Sequence, residues 1–252
     1  MSMLKDVYLK IFSLFAILFV AGCEMAPLVF NPGELTTETR EMDISDVRHL
    51  YISNDINVIF EKSFEEKITV EAGKNLIDKV ETRLDDTTLY LSDKNYNNWE
   101  RGYKDHITIH ISHPHISKIT FNGSALLESK DTLFYKKDES LTIQTGDATG
   151  SINLVVDASK LQINHWFGVA DIAISGKARE CIIGNTGRGR LSLEDLRVEH
   201  MHINNKSIND AYVNISKSLQ GIIYSTGNIY YYGNPEIDME YLGAGKLISL
   251  TQ

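Results

Sequence analysis

The chain has 252 residues, 42% of them hydrophobic, two cysteines and a formal charge of −9 at pH 7. That length holds one sizeable domain or two halves sharing a core. The acidic balance argues against nucleic acid or anionic lipid as the partner of the surface as a whole.

Residues 1–22 read as a leader. Lys5 and Lys10 precede an uncharged run from Ile11 to Val20 that is too short to span a bilayer, and small residues follow it. Val20-Ala21-Gly22-Cys23 resembles the lipobox of bacterial lipoproteins, which implies cleavage before Cys23, acylation of that cysteine and a membrane link through the lipid. Losing Lys5, Asp6 and Lys10 takes the formal charge from −9 to −10. Cys181 is then the only thiol, so no intrachain disulfide can form and packing must supply the stability. Glu24 is not the residue associated with inner-membrane retention, which favours an outer-membrane lipoprotein.

Residues 23–41 form a polar tether with Pro27, Pro32 and Gly33, expected to be extended. Across 42–117 apolar residues alternate in short runs: Leu50/Ile52, Ile56/Val58/Phe60, Ile68/Val70, Leu89/Leu91 and Ile107/Ile109/Ile111. Period-two alternation predicts strands that bury one face. The rows begin near His49, Ile68, Thr88 and His106, close to 20 residues apart, and are expected to be degenerate coils. Asn75 to Val80 suggests one turn of helix. Between Leu91 and Ile107 lies an insertion with Tyr96, Trp99 and Tyr103, candidate ligand contacts because loops on a rigid scaffold often carry binding.

His106, His110, His113 and His115 raise the question of a metal. A strand places His106 and His110 on one face, opposite the three isoleucines, and these two are the metal candidates. Zinc needs three or four converging ligands. The pattern supplies no such set, so a polar sheet face is the expectation.

From residue 118 to 252 the pattern becomes a repeat. Rows starting at Ser140, Lys160, Glu180 and His200 align one apolar column, Leu141, Leu161, Cys181 and Met201, and a second, Ile143, Ile163, Ile183 and Ile203. Each row then offers another run: Ile152/Leu154/Val156, Ile172/Ile174, Leu191/Leu193 and Val213/Ile215. A period near 20 with two short strands per unit predicts coils stacked at about 4.8 Å, an all-β parallel β-helix. Cys181 is expected to be a buried apolar residue. Thr145, His165, Asn185 and Asn205 share the next column, where side chains one coil apart can form an amide ladder that satisfies buried backbone groups. Gly187-Arg188-Gly189-Arg190 joins two strands and opens no helix, so it is not read as a phosphate loop.

The order of parts is similar to the auto-transporter adhesin head domain ("GIN" domain) family of bacterial lipoproteins and secreted proteins. Carrying the likeness are ISDVRHLYISNDINVIF (44–60), VEAGKNL (70–76), ITIHISHP (107–114), KITFNGS (118–124), GNIYYYGNP (227–235) and Gly243-Ala244-Gly245. The resemblance implies a right-handed β-helix related in shape to pectin lyases, without catalytic residues.

The outward positions are Thr142, Gln144, Gln162, Asn164, His202 and Asn204 on the first sheet and Asp171 and Ala173 on the second. They bring no two carboxylates together one coil apart, as a glycoside-cleaving site would need. In Tyr230-Tyr231-Tyr232 alternation turns Tyr231 inward and leaves Tyr230 and Tyr232 as further candidate ligand contacts. The expectation is a non-enzymatic lipoprotein with no cofactor and no nucleic-acid partner, anchored through Cys23 and presenting a polar face to an extracellular glycan or protein. The alternatives are a carbohydrate-active β-helix enzyme and a structural periplasmic lipoprotein.

Overall fold

The computed structural model describes residues 32–63, 65–95, 107–112 and 115–250. It is an all-β solenoid of about 7 turns with roughly 20 residues per coil.

The regular part is built from β11 (Ser140–Thr145), β12 (Ser151–His165), β13 (Asp171–Asn185), β14 (Leu191–Asn205) and β15 (Ala211–Ile223). Neighbours in this series pair in parallel, and the columns seen in the sequence are the pairing register: Leu141, Leu161, Cys181 and Met201 stack, as do Ile143, Ile163, Ile183 and Ile203. All eight are at most 2% exposed. Each long strand makes two sides of a coil. In β12 the inward residues are Ile152, Leu154, Val156 and Ala158, then Leu161, Ile163 and His165. Two successive outward residues, Ser159 and Lys160, break the alternation there and bend the chain around the core.

The register shortens beyond β14. His200 pairs with Ser218 and Ser218 with Glu236, so Ile203 is followed in its column by Gly221 and then Met239. Gly221 has φ +144, and an added Cβ would strike the carbonyl oxygen of Ile203. Only glycine combines that backbone conformation with so close an approach. The second-run column also differs from the sequence reading, because Ala211, not Val213, stacks on Leu191, and Val213 follows Leu193. The solenoid ends with β16 (Ile229–Tyr232), β17 (Glu236–Tyr241) and β18 (Leu247–Ser249).

At the other end the coils do not follow chain order. β2 (His49–Asn54) lies between β6 (Thr88–Asp93) and β8 (Lys118–Gly123), parallel to both. β3 (Ile56–Glu61) lies between β7 (Ile107–Ser112) and β9 (Leu126–Ser129), and the short β10 (Leu133–Phe134) pairs in parallel with β12. Leu89, Leu50 and Ile119 thereby extend the column of Ile143. The expected row at Ile68 is not a coil. It lies in β4 (Lys67–Gly73), which runs antiparallel to β7 and carries β1 (Leu35–Arg40) antiparallel on its outer side. β5 (Val80–Asp85) likewise turns back along β6, through a turn in which Asp86 holds φ 52. Antiparallel hairpins need only short turns where parallel strands need long crossovers, which suits them to closing an end. The helical turn anticipated at 75–80 is a single 3-10 turn, Ile77–Lys79.

Candidate functional site

Each coil has two corners, at opposite ends of its 160–165 strand. One is the bend at 157–159 and its equivalents, and the other is the turn after His165 and its equivalents. Between the corners the sheet faces carry the predicted outward residues.

On the first face Thr142, Gln162, Ile182, His202 and Gln220 form one column and Gln144, Asn164, Gly184, Asn204 and Ile222 the next. The first holds a hydroxyl, two amides and an imidazole interrupted by Ile182, and the second three amides with Gly184 and Ile222. Gln162 Nε2 donates to Asn164 Oδ1 at 3.4 Å, and His200 Nδ1 lies 2.8 Å from Ser218 Oγ. His200 and His202 are exposed, as the alternation requires.

The bend opens into a trough of about 530 Å³ lined by Tyr135, Asp157, Lys177, Arg179, Arg197 and Glu199, among others. Asp157, Lys177, Arg197 and Asn214 form one column along it. Lys177 Nζ is 3.0 Å from Asp157, and Lys217 Nζ donates to Glu199 Oε2 at 2.7 Å, which holds the Glu199 carboxyl below its ordinary range. Arg197, between these pairs, has no carboxylate partner among the described residues and projects an unspent guanidinium fork. Tyr135 closes one end of the trough, its buried hydroxyl donating to Ile116 O at 2.8 Å.

Tyr230 stacks on Tyr212, with ring centroids 5.0 Å apart and planes 11° from parallel, and the Arg190 guanidinium lies 4.8 Å from the Tyr212 ring. One face of Tyr230 is thus covered. Tyr232 is 40% exposed, and Tyr231 turns in against the core. Cys23, Tyr96, Trp99, Tyr103, His106 and His113 lie outside the described residues. His110 Nδ1 is 3.6 Å from Glu61, which also meets Lys130 at 3.4 Å. Glu61 thus pairs with Lys130 on a sheet face beside His110, and among the described residues no three His, Cys, Asp or Glu are gathered for a metal ion.

Inside the turn corner, Asn185 Nδ2 donates to Asn205 Oδ1 at 2.8 Å, and Asn205 Nδ2 donates to the Gly227 carbonyl at 3.1 Å. Because the Asn185 amide nitrogen is committed to Asn205, its oxygen is the acceptor for His165 Nδ1, 3.1 Å away. The proton of neutral His165 therefore sits on Nδ1. Desolvation holds this histidine below its ordinary pKa of 6.5, so it stays neutral. Thr145, at the head of the column, does not join, since its Oγ1 has no partner. These four residues are structural. Burial pushes the Cys181 thiol up to about 12, as a column residue rather than a nucleophile requires.

Sequence reasoning passed over Trp166 and Phe167, 46% and 64% exposed on the turn after His165. The signal was present: they lie between the last inward residue of one strand, His165, and the first of the next, Ile172. No column can bury them.

Residues 48–235 match the family described as "Putative auto-transporter adhesin, head GIN domain". Among solved structures, the chain is similar to a putative adhesin from Bacteroides fragilis, with TM-score 0.74, 19% identity, and 86% of this chain and 97% of that one covered. A putative adhesin from Parabacteroides merdae matches with TM-score 0.59 and 20% identity, over 86% and 97%. A protein from Parabacteroides distasonis described as a putative lipid binding protein matches with TM-score 0.54 and 17% identity, over 85% and 97%. At these identities the likeness is one of fold. No curated protein matches the chain.

Proposed function

This chain belongs to the head GIN domain family of putative auto-transporter adhesins, and from that premise we propose that it is a non-enzymatic cell-envelope lipoprotein. It is anchored through acylated Cys23 and binds an extended extracellular glycan along its solenoid. The observation that carries this reading is the periodicity of the exterior. Along the first face and the trough a polar side chain recurs on most coils, about every 4.8 Å, interrupted at Ile182, Gly184 and Ile222, and an extended polymer with a regular repeat is the ligand such a surface matches. Arg197 in the trough supplies a cation for acidic groups on that polymer, and Gln162, Asn164 and His202 supply hydrogen-bonding groups for hydroxyls.

Family membership supports a cell-envelope or surface location. The lipobox-like Val20-Ala21-Gly22-Cys23 supports the anchor, and the strand it leads to, β1, is the outermost strand of one end of the stack.

The test is a glycan array probed with the whole chain and with Arg197→Gln and Gln162→Ala variants. Binding to a defined set of glycans, weakened by these substitutions, is the expected result. A flat array together with cleavage of acidic polysaccharides into unsaturated or reducing-end products would replace this reading with an enzyme. Protection from protease in intact cells would replace it with a periplasmic structural protein.

A further inference from the structure

The turn tips form a second surface that the glycan reading leaves unused. The N–H groups of Trp166, Thr186, Lys206, Tyr224 and Leu242 donate to the carbonyls of Thr145, His165, Asn185, Asn205 and Ile223, so these five tips stack in one line. At about 4.8 Å per coil the line is about 20 Å long. Phe167, Val169 and Ile208 stand beside it. The six apolar members, Trp166, Phe167, Val169, Ile208, Tyr224 and Leu242, are between 38 and 64% exposed. Phe167, Val169, Arg188, Lys206 and Ile208 share one hollow of about 470 Å³. Large apolar side chains gathered in the open along one edge mark an interaction surface.

The charge on the tips has the opposite sign to that of the chain. Residues 166–169, 186–188, 206–209, 224–226 and 242–244 carry Arg188 and Lys206 and no carboxylate, although the whole chain stands at −9. Lys206 Nζ lies 4.8 Å from the Tyr224 ring centroid. Asp171 and Asp210 stand behind the tips, each with Oδ1 accepting a backbone N–H, from Arg190 and Asn228 respectively. Asp147, exposed on the turn of the preceding coil, stands at the position equivalent to Phe167 and borders the line at its Trp166 end. The charges carried on the five tips themselves are thus two cations, Arg188 and Lys206, in a chain of net charge −9.

We propose that this ridge is a membrane contact, seating its apolar tips in the interfacial layer of a phospholipid bilayer with Arg188 and Lys206 among the headgroup phosphates. The mixture of side chains selects a bilayer over a sugar. Val169, Ile208 and Leu242 offer neither a hydrogen bond nor a π face, so a glycan gains little from them, whereas an acyl boundary rewards aliphatic and aromatic area alike. Tryptophan and tyrosine add the affinity of amphipathic rings for the headgroup level. The ridge runs along the stack, so the solenoid lies along the bilayer and the bend trough, at the other corner of each coil, faces away from it. Peripheral attachment strengthens when a lipid chain and a protein surface act together. The ridge does not depend on Cys23 for its own affinity.

Trp166 is one of two tryptophans in the chain, so the full-length protein with Trp99→Phe reports on it alone. The probe is vesicles of phosphatidylethanolamine and phosphatidylglycerol with brominated acyl chains. Trp166 emission is expected to shift to the blue and be quenched. Ile208→Ser with Leu242→Ser is expected to reduce the quenched fraction by about tenfold or more, and Arg188→Gln with Lys206→Gln to reduce it further in phosphatidylglycerol-rich vesicles. All four residues are exposed, so the variants keep the fold. An unquenched Trp166 on vesicles to which the protein is bound, quenching indifferent to these substitutions, or no association with vesicles would each overturn the proposal. A blue shift caused by soluble polysaccharide in place of vesicles would do so as well.

Discussion

Asn185 donates to Asn205, its register partner on the next coil of the stack, at 2.8 Å, with both side chains sealed from solvent. Cutting this ladder at its middle strands two buried polar groups at once, Nδ1 of His165 and Oδ1 of Asn205, each costing about 1–3 kcal/mol when left unpaired. Asn185→Ala is therefore expected to lower unfolding free energy by roughly 2–5 kcal/mol, read as a shift in the urea midpoint. A shift of under a few tenths would show that the ladder is decorative.

His165 makes the same corner sensitive to acid. Its folded-state pKa lies below the ordinary 6.5 because burial disfavours the cation. Above about pH 6.5 both folded and unfolded chains hold it neutral, and its contribution to stability is complete. As pH falls below that value the unfolded chain takes up a proton that the folded chain refuses, and stability declines until the folded pKa is passed. His49, partly desolvated and near Lys118, shifts in the same direction. His165→Asn continues the column's own amide chemistry and should flatten the slope between pH 6.5 and 5 in urea titrations at stepped pH, with His49 and, toward pH 5, Glu81 and Glu199 contributing to the slope that is left.

Two glycines in the repeats should respond oppositely to alanine. Gly221→Ala forces a side chain onto φ +144 and into the Ile203 carbonyl, and a loss of roughly 2 kcal/mol or more is expected. At Gly184 an added methyl meets only Asn164 Oδ1 at 3.7 Å, so Gly184→Ala should be neutral or stabilising by a few tenths of a kcal/mol. Paired thermal melts decide it.

The spine of the stack should show the usual cost of a cavity. Ile163 is fully buried between Ile143 and Ile183, and Ile163→Ala is expected to cost about 2–5 kcal/mol. Cys181 belongs to the neighbouring column, and its thiol, pushed up to about 12, should resist a thiol reagent in native buffer and react on addition of denaturant. Native-state labelling as fast as for a free thiol would mean that the column is not closed.

The repeats were legible because each 20-residue step returns the same residue class to the same column, and Ile143 through Ile203 needed nothing beyond period two within the row and period 20 between rows. The N-terminal half was legible as strands but not as an order. Ile68/Val70 and Leu89/Leu91 carry identical alternation, yet one pair lies in an antiparallel strand and the other in a coil. Alternation reports which face is buried and is silent on the direction of the neighbour. The bend trough was hidden for another reason. Asp157, Lys177 and Arg197 stack one coil apart at the 20-residue period, but the hollow they line comes from the bend at Ser159 and Lys160, and two outward residues in succession read in sequence as a pause between strands.

The insertion of β2 between β6 and β8 constrains biogenesis. Residues 49–54 emerge first from the ribosome, yet both strands that flank them are translated afterwards, one 39 residues later in register and the other 69. A nascent chain cannot grow this solenoid upward one layer at a time. It must keep its first coil waiting, edges exposed, until residue 123 has been made, while everything from residue 140 onward can wind in the order of synthesis. The threading therefore leaves the first coil without both of its neighbours until about half of the polypeptide exists, whatever the rate at which the rest winds on.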